Sequence, residues 1–279
     1  MNRFIAPLAL TAATVLPGLA PAAETALWRL DCGSIEVRDL NLFSDTMAYP
    51  GQSMTLTNSC YAIRHGGEVM IWDTGFPAAL IGAPASEDVL APSLESDLPS
   101  QLAEIGIAPS DVTKVGISHY HFDHTGQAAA FAQAELLIGA ADWTVLSGPL
   151  PDWAGGFVVP ETLAPWVSGG ARVRAVPGDH DVFGDGSVVM LAMPGHTPGE
   201  TALLVNLPET GPVLLSGDVV HFAEQIDGNG VPGFNFDRAD SLASMARMTT
   251  LADNLGAVLV VQHDPRHIDR LPAFPEAAR

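Results

Sequence analysis

The chain has 279 residues, with 12 basic and 32 acidic side chains and a formal charge of −20. So acidic a protein is poorly suited to nucleic acid, because phosphate affinity comes mainly from Lys and Arg. Hydrophobic residues make up 47%, which supplies a sizeable core and excludes a disordered chain; with no linker-like stretch, one large domain is expected.

The first segment reads MNRFIAPLALTAATVLPGLAPAA. Arg3 gives it a positive start, an apolar run follows to Ala20, and Ala20-Pro21-Ala22 has the small–x–small form of a cleavage site. Pro7, Pro17 and Gly18 interrupt the run, which makes it a poor membrane span. The expectation is a signal peptide over residues 1–22, export to the periplasm or medium, and a mature domain over residues 23–279. No later stretch is long and apolar enough to cross a bilayer. Cys32 and Cys60 are the two cysteines. In an exported chain they can form a disulfide or remain two buried thiols, and both readings stand. Neither has a partner at zinc-knuckle spacing.

Further along, Cys60–Arg64 and Glu68–Trp72 flank His65-Gly66-Gly67, a hairpin signal. Apolar runs predict strands at Lys114–Ser118, Glu135–Gly139, Arg172–Val176, Ser187–Met193, Thr201–Leu207, Val213–Ser216 and Ala257–Val261. Helices are predicted at Leu98–Ile105, Thr125–Phe131 and Asp237–Leu255. In the last, Leu242, Met245, Met248, Ala252 and Leu255 recur at helical spacing, Asp237 can cap the start and Gly256 suits the end. Strands followed by helices point to an α/β fold of sheets covered by helices. Ser147–Gly170, rich in Gly and Pro and carrying Trp153, Phe157 and Trp166, reads as a long functional loop region.

Histidine placement carries the chemistry. Three of the nine histidines crowd into Ser118-His119-Tyr120-His121-Phe122-Asp123-His124, where a strand runs into a loop. Alternate side chains of an extended segment share a face, so His119 and His121 can point together. Asp123 and His124 then turn toward a second position. One segment can therefore serve two adjacent cations, and imidazole with carboxylate suits zinc or a related first-row metal. Three more ligand-type residues sit just beyond strands: His196 in Pro194-Gly195-His196-Thr197-Pro198-Gly199, Asp218 in Ser216-Gly217-Asp218, and His263 in Gln262-His263-Asp264. A lone His or Asp in a turn is more often solvated or a cap; the shared placement is what singles these out. His65 reads as a turn residue, His180 as part of an acidic loop and His267 as a surface residue.

HxHxDH, PGHTPG, SGD and QHD, spread over residues 26–265, resemble the metallo-β-lactamase superfamily. The resemblance implies an αββα sandwich of two mixed sheets flanked by helices, with two Zn2+ at one edge; other divalent first-row metals fit the same donors. Carried over residue by residue, His119, His121 and His196 would hold one metal, and Asp123, His124 and His263 the other, with Asp218 bridging. Asp73 in Trp72-Asp73-Thr74-Gly75 would support a ligand from behind. The absence of Cys after Cys60 disfavours the commonest β-lactamase type, and the acidity disfavours nucleases and glyoxalase II.

Cys60-Tyr61-Ala62-Ile63-Arg64, Val231-Pro232-Gly233-Phe234-Asn235-Phe236-Asp237 and the C-terminal region resemble N-acyl-homoserine lactonases. That implies opening of a lactone ring by a hydroxide shared between two metals, with Asp123 as proton acceptor. Lactonases of this group carry Tyr where this chain has His221, which becomes a candidate to hydrogen-bond the substrate. Other lactones, aryl esters and organophosphate triesters are the alternative substrates, and a non-catalytic zinc protein is a further alternative. A hydrophobic small-molecule ester needs an apolar pocket, for which Phe43, Met47, Phe76, Trp143, Trp153, Phe157 and Phe222 are candidates, although each alone is more often core.

Overall fold

The computed structural model describes residues 24–279, and the expected signal peptide over 1–22 lies outside the described residues. The first sheet holds β1 (Thr25–Val37), β2 (Met54–His65), β3 (Glu68–Trp72), β4 (Leu90–Ser93), β5 (Lys114–Ile117), β6 (Glu135–Gly139) and β7 (Val173–Val176), in the order β4-β1-β2-β3-β5-β6-β7. Its first half is antiparallel; from β3 onward the pairings are parallel. The second sheet holds β8 (His180–Asp181), β9 (Val188–Ala192), β10 (Thr201–Leu207), β11 (Gly211–Leu215) and β12 (Val258–Val260), in the order β12-β11-β10-β9-β8. Only its β11–β12 pairing is parallel, so both sheets are mixed.

Side-chain alternation explains the layering. In β3, Met70 and Trp72 face the second sheet, while Val69 and Ile71 face the opposite layer. In β10, Leu203, Val205 and Leu207 face the first sheet, while Ala202 and Leu204 face outward. Each sheet thus has two apolar faces and needs a cover on its outer side. On the first sheet the cover includes α1 (Leu98–Glu104), α3 (Ala140–Ser147) and α4 (Ala164–Val167), which contribute Leu98, Leu102, Leu146 and Trp166. A one-turn helix, α2 (Phe122–Thr125), follows β5, and α5 (Glu224–Gly228) follows β11. The second sheet is covered by α6 (Arg238–Leu255), through Met245, Met248 and Ala252. The result is the αββα sandwich.

The α6 ends are those its sequence specifies. Asp237 accepts from the Asp240 amide at 2.8 Å, and Gly256 takes the left-handed conformation at φ 60°. Leu255, expected on the apolar face, is instead 44% exposed, one residue before that cap. The helix expected over Thr125–Phe131 is also corrected: α2 ends at Thr125, and a separate 3-10 turn covers Ala128–Phe131. Between them Gly126 donates to the Gly75 carbonyl at 2.7 Å, and a Cβ on Gly126 would fall 2.2 Å from the Pro77 nitrogen. Close packing on that turn breaks the helix. Ser147–Gly170 is less open than its composition suggests, since it contains α4 and buries Trp166, whose indole donates to the Ala134 carbonyl.

Cys32 and Cys60 form a disulfide with a Cα–Cα distance of 5.7 Å, tying β1 to β2. His267, expected on the surface, is buried: its Nδ1 accepts from the Val261 amide at 2.9 Å, so it supports the segment leading to His263. No helix among the described residues is long and apolar enough to cross a membrane.

Candidate metal centre

The ends of five strands converge on one edge of the sandwich. β3 runs into Asp73, β5 into His119 and His121, β9 into His196, β11 into Asp218 and β12 into His263. Asp73 adopts a left-handed φ of 56°, which a short polar side chain tolerates. From there Oδ1 accepts from the Ser118 amide at 2.7 Å, and Oδ2 lies 3.0 Å from Nδ1 of His124. One carboxylate thus fixes both the start and the end of the His-rich segment. The PGHTPG turn is pinned by Asp142, which accepts from the Thr197 hydroxyl and the Gly199 amide at 2.8 and 2.6 Å. Gly139 passes so close to Gly199 that a Cβ on it would sit 1.9 Å from the Gly199 carbonyl oxygen.

The residues singled out in the sequence meet here. Donor atoms of His119, His121 and His196 lie within 4.8 Å of one another, and so do those of Asp123, His124, Asp218 and His263. Asp218 stands between the groups. Its Oδ1 is 3.0 Å from His263 Nε2 and 3.4 Å from His124 Nε2, while its Oδ2 is 3.5 Å from His196 Nε2. The far nitrogens have partners of their own. His119 Nδ1 faces Glu200, His124 Nδ1 faces Asp73, and His263 Nδ1 donates to the Thr57 carbonyl at 2.7 Å. His196 Nδ1 donates to Asn235 Oδ1 at 2.9 Å. Such partners set the tautomer and turn the other nitrogen inward. Neither Glu200 nor Asn235 is singled out by the sequence reading. Asn235 lies inside the quoted Val231–Asp237 motif; Glu200 directly follows the PGHTPG motif.

The chemistry of this donor set fits metal. His119 Nε2, His124 Nε2 and Asp218 Oδ1 are buried, and the imidazole–carboxylate approaches among them lack hydrogen-bond geometry, so none has a hydrogen-bond partner among the described residues. A buried polar atom without a partner costs about 1–3 kcal/mol, which coordination would relieve. Electrostatics divide the two groups. Burial, together with repulsion from neighbouring imidazoles, holds His119 and His121 well below the usual histidine value and lowers His196 to about 3. Burial also disfavours charge on His124 and His263, but Asp218 and Asp123 outweigh it and raise both. Burial pushes Asp218 up, but His263, His124 and His221 outweigh it and hold the carboxylate well below its ordinary range. Burial and the charge of Asp218 raise Glu200, a cost that a nearby cation would offset.

Above the cluster opens a small cleft. Its floor includes His121, Asp123, Asp218 and His263; Ile35, Phe43, Leu56, Leu90, Phe157 and Phe234 make its apolar walls. Of the expected pocket residues, Phe43 and Phe157 line it, and Phe157 stacks on His121 at 4.7 Å. The others stand elsewhere. Phe222 and Phe76 are fully buried in a core cluster beside the cleft, and Trp143 packs half-buried against the helix-covered face of the first sheet. Met47 is 71% exposed, and Trp153 stands outside the cleft, its ring tilted against Phe236 at 4.9 Å. His221 lies in the cleft wall, but its Nε2 is 3.2 Å from Asp218 Oδ2.

A family model described as the metallo-β-lactamase superfamily matches residues 55–263. The chain belongs to the metallo-β-lactamase superfamily. Within it, the chain is similar to the N-acyl homoserine lactonase AttM of Azorhizobium caulinodans, at 32% identity over 68% of this chain and 72% of that one. Among solved structures, it resembles an N-acyl homoserine lactone hydrolase with N-hexanoyl-L-homoserine bound at its catalytic metal centre. That match has a TM-score of 0.76 and 22% identity, and covers 92% of this chain and all of the other. The dizinc quorum-quenching lactonase AidC, with the same product, matches at a TM-score of 0.68 and 15% identity over 92% of this chain and 91% of that one. These relatives share the superfamily's metal-dependent hydrolase architecture, whose strand-end donors this chain also brings together.

Proposed function

We propose that this metallo-β-lactamase-fold hydrolase opens the lactone ring of N-acyl-homoserine lactones with two zinc ions, thereby quenching quorum signals. The observation that carries the reading is the meeting of His119, His121, His196, Asp123, His124, His263 and Asp218 beneath an apolar cleft. A lactone with a fatty tail needs both: charge chemistry at the ring and a greasy wall for the chain. The similarity to AttM supports the substrate class.

His119, His121 and His196 would hold one ion and Asp123, His124 and His263 the other, with Asp218 spanning them. When bound, such a pair supplies a hydroxide nucleophile at neutral pH and polarises the ester carbonyl. The chain's own residues do the rest. Asp73, Glu200, Asn235 and the Thr57 carbonyl fix ligand orientation from behind. Asp123 lines the cleft, with Oδ2 3.7 Å from His263 Nε2, where it can take up a proton and return it to the leaving alkoxide. Phe157 and Phe234 close one wall and limit water around the acyl chain. Export to the periplasm or medium agrees with the disulfide, because such bonds persist in oxidising compartments.

The test is metal analysis together with acid release from acyl-homoserine lactones and from a phosphotriester. Two zincs per chain with lactone turnover, both lost in Asp218→Ala, is the expected result. Faster phosphotriester turnover would move the assignment to that substrate class, which His221 in place of Tyr makes worth including. Metal binding without turnover of any ester would reject hydrolysis.

A further inference from the structure

Six histidines contribute to the groups of converging donors, one more than the metallo-β-lactamase pattern uses. The extra one is His221. Its donor atom lies within 4.8 Å of those of His196 and Asp218. Its ring is buried at 3% exposure, and Nε2 points at Asp218 Oδ2 from 3.2 Å. The same oxygen stands 3.5 Å from His196 Nε2 and 3.9 Å from His119 Nε2. We infer that His221 is a metal ligand, sharing a cation with His196 and Asp218. The inference rests on the metal-dependent reading above and deepens it.

The surroundings hold His221 in this attitude. Its backbone amide donates to Gln225 Oε1 at 2.7 Å, and Gln225, fully buried, donates in turn to the Phe43 carbonyl at 3.0 Å. Phe43 meets the imidazole edge-on at 4.9 Å, while the His263 ring lies nearly parallel to it at 5.6 Å. A ring packed this way cannot swing Nε2 far from Asp218 without moving Phe43. One feature separates it from four of the other five imidazoles. The Nδ1 atoms of His119, His124, His196 and His263 face a carboxylate, an amide or a carbonyl, whereas Nδ1 of His221 has no partner among the described residues. Partners of that kind strengthen a ligand, so His221 is a weaker donor than His196. A side chain committed to the cation is also unavailable to hydrogen-bond the lactone in the manner expected of the residue at this position.

The competing arrangement has Nε2–H simply donating to Asp218. The two are separated by loading the full-length protein with two equivalents of cobalt(II) after labelling histidine nitrogens with 15N. Every ligating imidazole then gives hyperfine-shifted ring signals. The expected count in the unmodified protein is six shifted imidazoles, those of His119, His121, His124, His196, His221 and His263. His221→Gln removes one of them, changes the visible spectrum of the bound cobalt and weakens retention of one cobalt by at least about tenfold, the low end of what the loss of even an outer partner of a ligand costs. Glutamine keeps a hydrogen-bond donor, so a mere hydrogen bond to Asp218 would leave spectrum and retention unaltered. Five shifted imidazoles in the unmodified protein overturns the inference while leaving the hydrolase reading intact. A protein that takes up no cobalt brings down both.

Discussion

Glu200 sets its Oε2 3.1 Å from Nδ1 of His119, with both side chains wholly buried. The other oxygen, Oε1, accepts from the Asp218 amide at 2.9 Å, so one carboxyl steadies two donors of the metal centre. A carboxylate behind His119 favours the tautomer with its proton on Nδ1 and the Nε2 lone pair turned inward. Glu200→Gln keeps the shape and removes the charge. Metal affinity is expected to fall about 10–100-fold, with far-ultraviolet circular dichroism unchanged. Competition against a chelator measures it, and affinity equal to the parent would reduce Glu200 to a packing residue.

The two metal positions should differ in acid. His124 and His263 are raised above the ordinary imidazole value of 6.5, Asp218 and Asp123 outweighing burial, so they take up protons early as pH falls. His119, His121 and His196 are lowered, mainly by burial, and stay neutral to far lower pH. A protonated imidazole cannot ligate, so protons compete with metal. Dialysis at stepwise lower pH should therefore remove one equivalent first, from the Asp123, His124 and His263 side, beginning above the ordinary imidazole value of 6.5. Metal content and the spectrum of a cobalt-loaded sample follow the loss. Release of both ions in a single step, or of the other ion first, contradicts this.

The aromatic residues around the cleft should separate short from long substrates. Phe157 stacks on His121 and lines the cleft, so Phe157→Ala should lower kcat/KM for short and long acyl chains alike. Trp153 and Phe236 pack against each other at a tilt outside it, at 48% and 50% exposure. Phe236 is nonetheless tied to the centre, its amide donating to the His196 carbonyl at 3.1 Å. If a chain of ten or more carbons extends from the cleft onto this pair, a few buried CH₂ groups at about 0.8 kcal/mol each give about tenfold or more. Trp153→Ala should cost long chains about that factor and leave a four-carbon chain unaffected. Equal loss for both lengths would remove Trp153 from the acyl path.

Much of this centre was legible in the sequence because ligands are marked by type and by strand ends. The flanking strands β6 and β10 show the bounds their apolar runs predict. The missing strands have physical reasons. β1 contains Arg29, Asp31 and Gly33, and its pairing with β2 shifts register between Asp31 and Ser34, which breaks the apolar–polar alternation of a strand. β4 is a four-residue edge strand interrupted by Pro92. With those strands unread, Ile35 and Leu90 could not be placed on the cleft wall. Phe222 and Phe234 are equally aromatic in sequence, and only packing sends one into the core and the other to the cleft. The supporting partners were hidden for a similar reason: Glu200 lies 81 positions from His119, and only the pairing of the sheets brings them together.

The disulfide should act on the centre as well as on stability. Cys32 and Cys60 are fully buried and 28 positions apart, a loop whose closure is worth about 3–4 kcal/mol on the chain-entropy account. Cys32 also packs on the turn after β3: a Cβ on Gly75 would meet the Cys32 Cβ at 2.5 Å, and the Phe76 amide donates to the Cys32 carbonyl. That turn begins at Asp73, which orients His124. Replacing both cysteines by Ala is expected to lower unfolding free energy by about 3 kcal/mol in urea titrations. Loosening the Asp73 turn should also weaken retention of the metal on the His124 side more than on the His119 side. Equal weakening on both sides would mean that the bond stabilises the sandwich globally and has no specific hold on the Asp73 turn.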